Sequence, residues 1–527
     1  MSKPQRYLIL PTRGLRATAE NASAAARDFL TRLTVPQSTR ALRTRLQATV
    51  TAGADAAAGG RKLKARAQSA AGEAFELVES LNEDGVKLIS ATPEMAAAMR
   101  YEQPGLRLVP EVFYTPASFR PRLRAKAAKT LGAGASLPRK LLVEVFRADT
   151  KGPIKGVYVV GFTDFLARVG DDGTTGANGT VTLTVPSKKT YERLYVQHEL
   201  PGLWSHLATD VTTKGMLRVE LQPLDLAAVD SLRHFHDLGE TNAGKGVMVG
   251  VVDSGIALTH PDLVVAGGLG CVPGEPETDW GPSGAHGTHV AGIIAGRGQA
   301  PTGMRGIAPV VTLYSYRVFG PTASSGSNFA IVKAIQRGVA DGCDLLNMSL
   351  SFEPDENTGL PKVDEAVQEA IREAHSKGVL VIAAAGNGGR KPVSYPALDD
   401  LVVAVSATGR KGTFPPESSE SGDVMGPFGN DPKNFVAAFS NVGTELDVTA
   451  AGVGVVSTVP GGYAPMSGTS MACPAVTGVV ARLLAQAPEV LRMARTSDRT
   501  DAIKKLLFDR ARTLGFKLEL EGKGLPR

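Results

Sequence analysis

The feature that most constrains this chain is a strand–helix–strand rhythm that begins near residue 226. Short β-type runs at Val247–Val252, Leu313–Val318, Asp344–Met348, Val379–Ala384 and Leu401–Val405 predict buried strands. Amphipathic segments such as Asn328–Ala340 and Val363–Lys377 lie between several of them. Strands joined by helical crossovers pair in parallel, and a parallel sheet needs both faces covered. Residues 226–527 are therefore expected to form an α/β unit, a parallel sheet with helices on both faces.

Upstream the texture changes. Residues 1–114 predict a small α+β domain with Tyr7–Leu10 as first strand, Phe75–Val78 as a strand or helix and Val86–Ile89 as a strand. A helix follows at Pro93–Arg100 after Thr92, and Leu106–Phe113 alternates as a final strand. Residues 17–72, rich in Ala, Arg and Thr and interrupted at Gly53 and Gly59-Gly60, predict a helical insertion within it. Residues 115–139 combine Pro, Ala, Gly and basic residues and predict a linker. Residues 140–225 alternate over Leu141–Phe146, Gly156–Phe162, Val181–Val185 and Leu217–Leu221, with turn chemistry from Asp171-Asp172-Gly173 to Asn178-Gly179. That block predicts a small β-sandwich.

Composition removes several classes of function. No run approaches the roughly 18 consecutive apolar residues of a spanning helix, so no membrane span is expected. Cys271, Cys343 and Cys473 are too few for a disulfide framework, which suits a reducing compartment or a fold that needs no staples. Between Arg6 and Pro11 lie only Tyr7-Leu8-Ile9-Leu10, shorter than the about 7–15 apolar residues of a secretory core. A cytoplasmic location is expected, with export by another route as the alternative. Residues 1–130 hold 21 Lys/Arg against 11 Asp/Glu, whereas the remainder holds 37 against 41. The basic front has no aromatic-interleaved motif, so nucleic acid is not an expected partner. Docking of the front block on the rest of the chain is the favoured use of that charge.

Three segments on the α/β unit carry chemistry. Asp253 ends the strand of Val251-Val252-Asp253-Ser254-Gly255, His286 opens a helix in His286-Gly287-Thr288-His289-Val290-Ala291-Gly292, and Ser470 stands at a helix start in Gly468-Thr469-Ser470-Met471-Ala472-Cys473-Pro474, with Pro474 in the first turn. A serine hydroxyl becomes a useful nucleophile when a base takes its proton, and an imidazole base needs a carboxylate to fix its tautomer. The order Asp, His, Ser on a parallel sheet completes that set. From about residue 226 to 490 the chain resembles the subtilisin-like serine proteases. The resemblance implies that Asp253, His286 and Ser470 form a catalytic triad. It also implies that Asn387, in Ala383-Ala384-Ala385-Gly386-Asn387, donates to the oxyanion together with the Ser470 N–H. By position it carries over Ser349-Leu350-Ser351 and Ser324-Ser325-Gly326 as edges that grip an extended peptide substrate. Ser394 falls at the base of the pocket for the residue before the scissile bond.

Some features depart from the family or resolve blandly. Where the family often carries a calcium loop, this chain reads Arg297-Gly298-Gln299-Ala300-Pro301-Thr302, which lacks carboxylates, so no cofactor is expected and a structural calcium is disfavoured. Neither His286 with His289 nor His234 with His236 has a third ligand nearby, so no metal is expected. Cys473 reads as a small buried hydrophobe. An insertion at about Gly409–Asn434 reads as a long surface loop. Residues 1–114 resemble the family's inhibitory propeptide, which implies an intramolecular inhibitor whose tail lies in the substrate cleft. Residues 140–225 resemble transthyretin-like modules. An inactive scaffold is the alternative to an endopeptidase, but a degenerate member would be expected to have lost one of Asp253, His286, Asn387 or Ser470.

Overall fold

The computed structural model describes residues 2–11, 65–68, 74–82, 85–102, 105–117, 124–127, 138–186, 190–240, 242–321, 325–352, 358 and 361–527. The front block builds an antiparallel sheet from β1 (Gln5–Leu10), β2 (Ala65–Gln68), β3 (Ala74–Ser80), β4 (Lys87–Ala91) and β5 (Arg107–Pro110) in the order β2-β3-β4-β1-β5. Helix α1 (Pro93–Glu102) starts where the Thr92 hydroxyl accepts the Met95 N–H at 3.2 Å. Strand alternation divides the apolar residues between two faces. Tyr7, Ile9 and Ile89 pack with Met95 and Met99 of α1, while Leu8, Leu10, Val86 and Leu88 join the core of the α/β unit. Residues 65–68, expected within a helical insertion, instead form an edge strand on β3. Residues 17–64 and 69–72 of that expected insertion lie outside the described residues.

The expected linker also contains strands. Part of it falls in β6 (Phe113–Pro116), and Lys126–Ala127 forms β7, parallel to β10 (Val169–Thr174). Residues 118–123 and 128–137 lie outside the described residues. Beyond them β8 (Arg139–Arg147), β9 (Tyr158–Asp164), β11 (Thr180–Val185), β12 (Thr190–Gln197), β13 (His206–Thr212) and β14 (Gly215–Leu221) complete two sheets, ordered β13-β12-β9-β10-β7 and β11-β8-β14. Val143, Val145, Val159, Leu183, Leu194 and Leu221 pack together in this block. The insertion at 409–434 is not simply a surface loop. Ser418, Glu420 and Asp423 in it are buried, and the backbone pairs with the β-block through Leu207 N–H to Glu417 O at 2.9 Å and Ser419 N–H to Ser205 O at 3.1 Å.

The α/β unit holds β15 (Met248–Asp253), β16 (Val265–Gly270), β17 (Thr312–Arg317), β19 (Leu345–Met348), β21 (Leu380–Ala384), β22 (Val402–Arg410) and β24 (Val448–Ala451), all parallel in the order β16-β17-β15-β19-β21-β22-β24. A short antiparallel strand, β23 (Asn434–Val436), pairs with the far end of β22. Two short strands, β18 (Gly326–Ser327) and β20 (Leu350–Ser351), stand apart from this sheet. Helices α2 (His286–Ala295), α3 (Asn328–Ala340), α4 (Glu365–Ser376), α5 (Thr469–Gln486) and α6 (Ser497–Arg510) are the larger helices of the unit. The chain is an α/β fold preceded by β-rich units. Among the described residues no helix is long and apolar enough to cross a membrane.

Docking of the front block rests mainly on apolar faces. Leu8, Leu10, Val86 and Leu88 share one core cluster with Phe329, Ile331 and Val332 of α3 and Val367 and Ile371 of α4. Two sets of ion pairs flank it. Arg107 meets Glu365 at 2.7 Å and Glu369 at 2.5 Å, the polarity expected from charge, while Lys333 meets Glu79 at 2.7 Å with the opposite polarity.

Asp344 ties the sheet to α6. One carboxylate oxygen accepts the Met248 N–H at 2.8 Å, and the other pairs with Arg495 at 2.9 Å and with the buried Arg499 at 2.6 Å. Arg499→Met leaves Asp344 with Arg495 and the Met248 N–H but removes one buried charged hydrogen bond. It is expected to lower the unfolding free energy by about 1.5–3 kcal/mol in denaturant titration, whereas Lys505→Ala, at an exposed pair, should change it by less than about 1 kcal/mol.

Candidate active site

In this sheet the strand order reverses around β15: the chain places β17 on one side of it and β19 on the other. The carboxyl ends of the strands at such a switch point form a crevice. Asp253, the last residue of β15, is wholly buried there. Its Oδ1 accepts the Ser254 N–H at 2.7 Å, and His286 Nδ1 lies 2.8 Å from Oδ1 and 2.9 Å from Oδ2. Helix α2 can come this close because its second residue is Gly287. A Cβ at that position would stand 2.4 Å from Gly255 O and 3.1 Å from Asp253 Oδ1. The carboxylate thus engages Nδ1, and Nε2 is the ring nitrogen away from it. Nε2 is buried and has no hydrogen-bond partner among the described residues.

Ser470 lies in the first turn of α5 and is buried. Its hydroxyl donates to Ser349 O at 3.0 Å, so a hydrogen bond to His286 Nε2 is not made in this structure. Pro474 lies inside the helix and not in its first turn. Having no N–H, it leaves Ser470 O without its helical donor, and the Ser349 hydroxyl takes that place at 2.9 Å. Ser349 thus braces the Ser470 segment through both its backbone and its side chain.

Asn387 faces the same point. Its Oδ1 accepts the Thr469 N–H at 2.9 Å and the Thr469 hydroxyl at 3.0 Å, which fixes which end of the amide turns into the cleft. Nδ2 donates to the carbonyl oxygen of Ala117. The Ser470 N–H donates to the same oxygen at 3.2 Å. Gly386, at φ 103°, allows the turn, and a Cβ there would stand 2.5 Å from Ser394 Oγ and Asn441 Nδ2. Ser394 is buried beside that turn, its hydroxyl accepting from Asn441 Nδ2 at 3.0 Å.

The cleft is filled by the chain itself. Strand β6 is the middle of a three-stranded sheet, with Tyr114 opposite Gly326, Phe113 opposite Ser327, Thr115 opposite Ser351 and Pro116 opposite Leu350. Ala117 N–H donates to Ser349 O at 3.0 Å. The two edges expected to grip a peptide are thus occupied by residues 113–117, although Ser324 lies outside the described residues and Ser325 only precedes β18. Leu106–Phe113, expected as one strand, is divided: Arg107–Pro110 stays in the front sheet against β1, and Glu111-Val112 lead into β6, which enters the cleft.

Sequence reasoning missed Thr469, Asn347, Asn441 and Ala117. Asn347 Nδ2 donates to the Ser349 hydroxyl at 2.9 Å, and its Oδ1 accepts from Thr477 at 2.9 Å and Cys473 at 3.2 Å. Only Thr469 had a local signal, its place inside the serine block. Burial pushes the Cys473 thiol well above its ordinary range, so it is a neutral donor in this network. His289 is wholly buried with Nε2 against Val455 O and Ala464 O, and burial pushes it down to about 3. It is therefore neutral and structural. Among the described residues no group of three or more His, Cys, Asp or Glu could hold a metal ion. Beside the loop after α2, Asp262 from the β15–β16 connection accepts the Met304 N–H at 2.9 Å and the Tyr463 hydroxyl at 2.8 Å on Oδ2, and Arg297 donates to Pro309 O at 2.8 Å.

Residues 244–524 match the model of the subtilase family. The chain is 40% identical over 247 residues to M-protease of Shouchella clausii (strain KSM-K16), an alignment that covers 47% of this chain and 55% of the relative. It is 40% identical over 247 residues to subtilisin Savinase of Lederbergia lenta, covering 47% of this chain and 78% of that protein. With subtilisin DY of Bacillus licheniformis the identity is 38% over 250 residues, covering 46% and 79%. The chain thus spans little more than half the length of M-protease, and residues before 244 lie outside the family match. From the family match over just over half its length and these identities, the chain belongs to the subtilase family.

Proposed function

We propose that this chain is a serine endopeptidase made in a self-inhibited form. Ser470 is the nucleophile, His286 the general base, Asp253 the group that orients the imidazole, and Asn387 with the Ser470 N–H the oxyanion donors. One observation carries this reading: two donors from separate segments converge on the carbonyl oxygen of Ala117, held in an extended strand across the cleft. A carbonyl so placed is poised for attack, because donors that contact it in the ground state tighten as the oxygen gains charge.

The steps follow from the atoms present. The Ser470 hydroxyl leaves Ser349 O and turns to His286 Nε2, which takes its proton as Oγ bonds to the Ala117 carbonyl carbon. The carbonyl electron pair moves onto oxygen, where Asn387 Nδ2 and the Ser470 N–H hold it. Collapse breaks the Ala117–Ser118 bond, and the imidazolium passes its proton to the departing amine. Water, deprotonated by the same imidazole, then hydrolyses the ester. Asp253, desolvated by burial and facing Nδ1, stabilises the imidazolium during both halves. In this reading residues 1–117 are the inhibitor, and the β-block of residues 138–221 remains joined to the α/β unit after the cut. We also infer that the loop at Arg297–Met304 works without calcium, since a cation held bidentately by Asp262 would compete with the two donors on its Oδ2.

Three outcomes are expected. Ser470→Ala should abolish both peptide hydrolysis and labelling by a fluorophosphonate, with an unchanged circular dichroism spectrum; retained labelling would place the nucleophile elsewhere. Asn387→Ala should lower kcat by about 10²–10³, the worth of one oxyanion donor, and a KM effect alone would contradict the assignment. Dialysis against a calcium chelator should leave the melting temperature and the rate of hydrolysis unchanged, and a large fall in either would show that the loop needs the ion.

A further inference from the structure

Counted back from Ala117, Tyr114 is the fourth residue on the amino-terminal side of the proposed cut. Its side chain is wholly buried in the α/β unit. The ring stacks on Phe352 with centroids 5.1 Å apart and planes at 29°. An apolar wall of this kind would accept phenylalanine as readily. The end of the pocket is different. The Tyr114 hydroxyl donates to Asp364 Oδ2 at 3.2 Å. Asp364 is itself buried and caps α4, its other oxygen accepting the N–H of Ala366 at 3.0 Å and of Val367 at 3.4 Å.

This gives one carboxylate two tasks. Oδ1 is spent on the helix start, where a Ser, Thr, Asn or Asp would serve equally. Oδ2 is not needed for the cap and points to the substrate residue. Once the cleft is emptied, that oxygen lies at the end of the space lined by Phe352, and a ligand that fills it without a donor leaves the carboxylate with Asn328 and the helix N–H groups alone. Sites built to hydrogen-bond a substrate hydroxyl reject the analogue that lacks it, because their buried polar group then loses water without gaining a partner. Burial raises the Asp364 carboxyl, and the Val367 N–H, Asn328 and the Tyr114 hydroxyl act in the opposite sense.

We propose that Asp364 is a specificity-determining residue that selects tyrosine at the fourth substrate position before the scissile bond, in peptides of the form Tyr-Xaa-Xaa-Ala. The proposal rests on the endopeptidase reading and names the substrate class of that same cleft. The front block carries such a sequence in Tyr114-Thr115-Pro116-Ala117. It would therefore occupy the cleft with the side chain that the pocket selects.

The test uses the full-length chain after it has been left to process itself, with the fluorogenic peptides succinyl-Tyr-Thr-Pro-Ala-aminomethylcoumarin and its Phe-Thr-Pro-Ala counterpart. The tyrosine peptide should show a kcat/KM at least about 10-fold higher. Asp364→Ser keeps a capping hydroxyl but is too short to reach the substrate, and it should bring the ratio close to one. Asp364→Asn should give an intermediate ratio. A purely capping role would lower both rates together and leave the ratio unchanged, which would overturn the proposal. Equal rates on the two peptides with the unaltered chain would overturn it too, as would hydrolysis of neither by an enzyme that still labels with a fluorophosphonate. Absence of both labelling and hydrolysis would instead remove the endopeptidase reading, and the proposal with it.

Discussion

Much of the structure depends on how the buried start of the helix Thr469–Gln486 satisfies its N–H groups. The first N–H groups of a helix have no acceptor within it, and water cannot supply one where Thr469 and Ser470 are wholly buried. Each must therefore be met from outside the helix. Thr469 N–H finds Asn387 Oδ1, which orients that amide, and Met471 N–H finds Gly468 O at 3.0 Å. Ser470 N–H finds the carbonyl of Ala117, more than 350 residues away in sequence. The partial positive charge of the helix end adds to the same acceptor. The geometry that satisfies a buried helix end is thus the geometry that would hold an oxyanion.

The same requirement explains how the front block and the α/β unit are joined. Ala117 reaches its position because β6 is paired on both sides, by Gly326–Ser327 and by Leu350–Ser351. The preceding sheet is fixed by apolar residues on one face of β1 and β4, packed on α3 and α4, and by Arg107 between Glu365 and Glu369. Only two residues, Glu111 and Val112, separate the last strand of that sheet from the strand in the cleft. With a connection this short, the docked position of the sheet largely determines where β6 enters the cleft. Asp364 couples the two further, since it caps α4 and holds Tyr114 through one side chain.

Legibility in the sequence followed the range of the interactions concerned. Asp253, His286, Asn387 and Ser470 lie in blocks where strand end, helix start and turn are encoded by immediate neighbours, and the parallel sheet showed in its own rhythm. Residues 115–117 did not read as a strand because nothing local makes them one: Pro116 and the basic, Ala-rich sequence that follows have linker composition, and the partners lie over 200 residues away. Val169–Thr174, Thr190–Gln197 and His206–Thr212 were missed for a related reason, since Asp171, Glu192 and Asp210 break the apolar pattern while cross-strand pairing supplies what alternation does not. Pro474 was expected in the first turn, where a proline costs little, but lies deeper, where the lost N–H is compensated by Ser349. The bracing network of Asn347, Thr469 and Asn441 consists of polar residues on separate segments, which only the folded chain brings together.

In the self-inhibited form proposed above, residues 113–117 occupy the cleft as a substrate, with the Ala117 carbonyl held for attack by Ser470. Intact-mass measurement of the purified full-length chain, beside its Ser470→Ala variant, tests this most directly. Two fragments that meet at the Ala117–Ser118 bond are expected from the unaltered chain, and a single whole chain from the variant. A chain that remains uncut, or a cut at another bond that also occurs in Ser470→Ala, would contradict it.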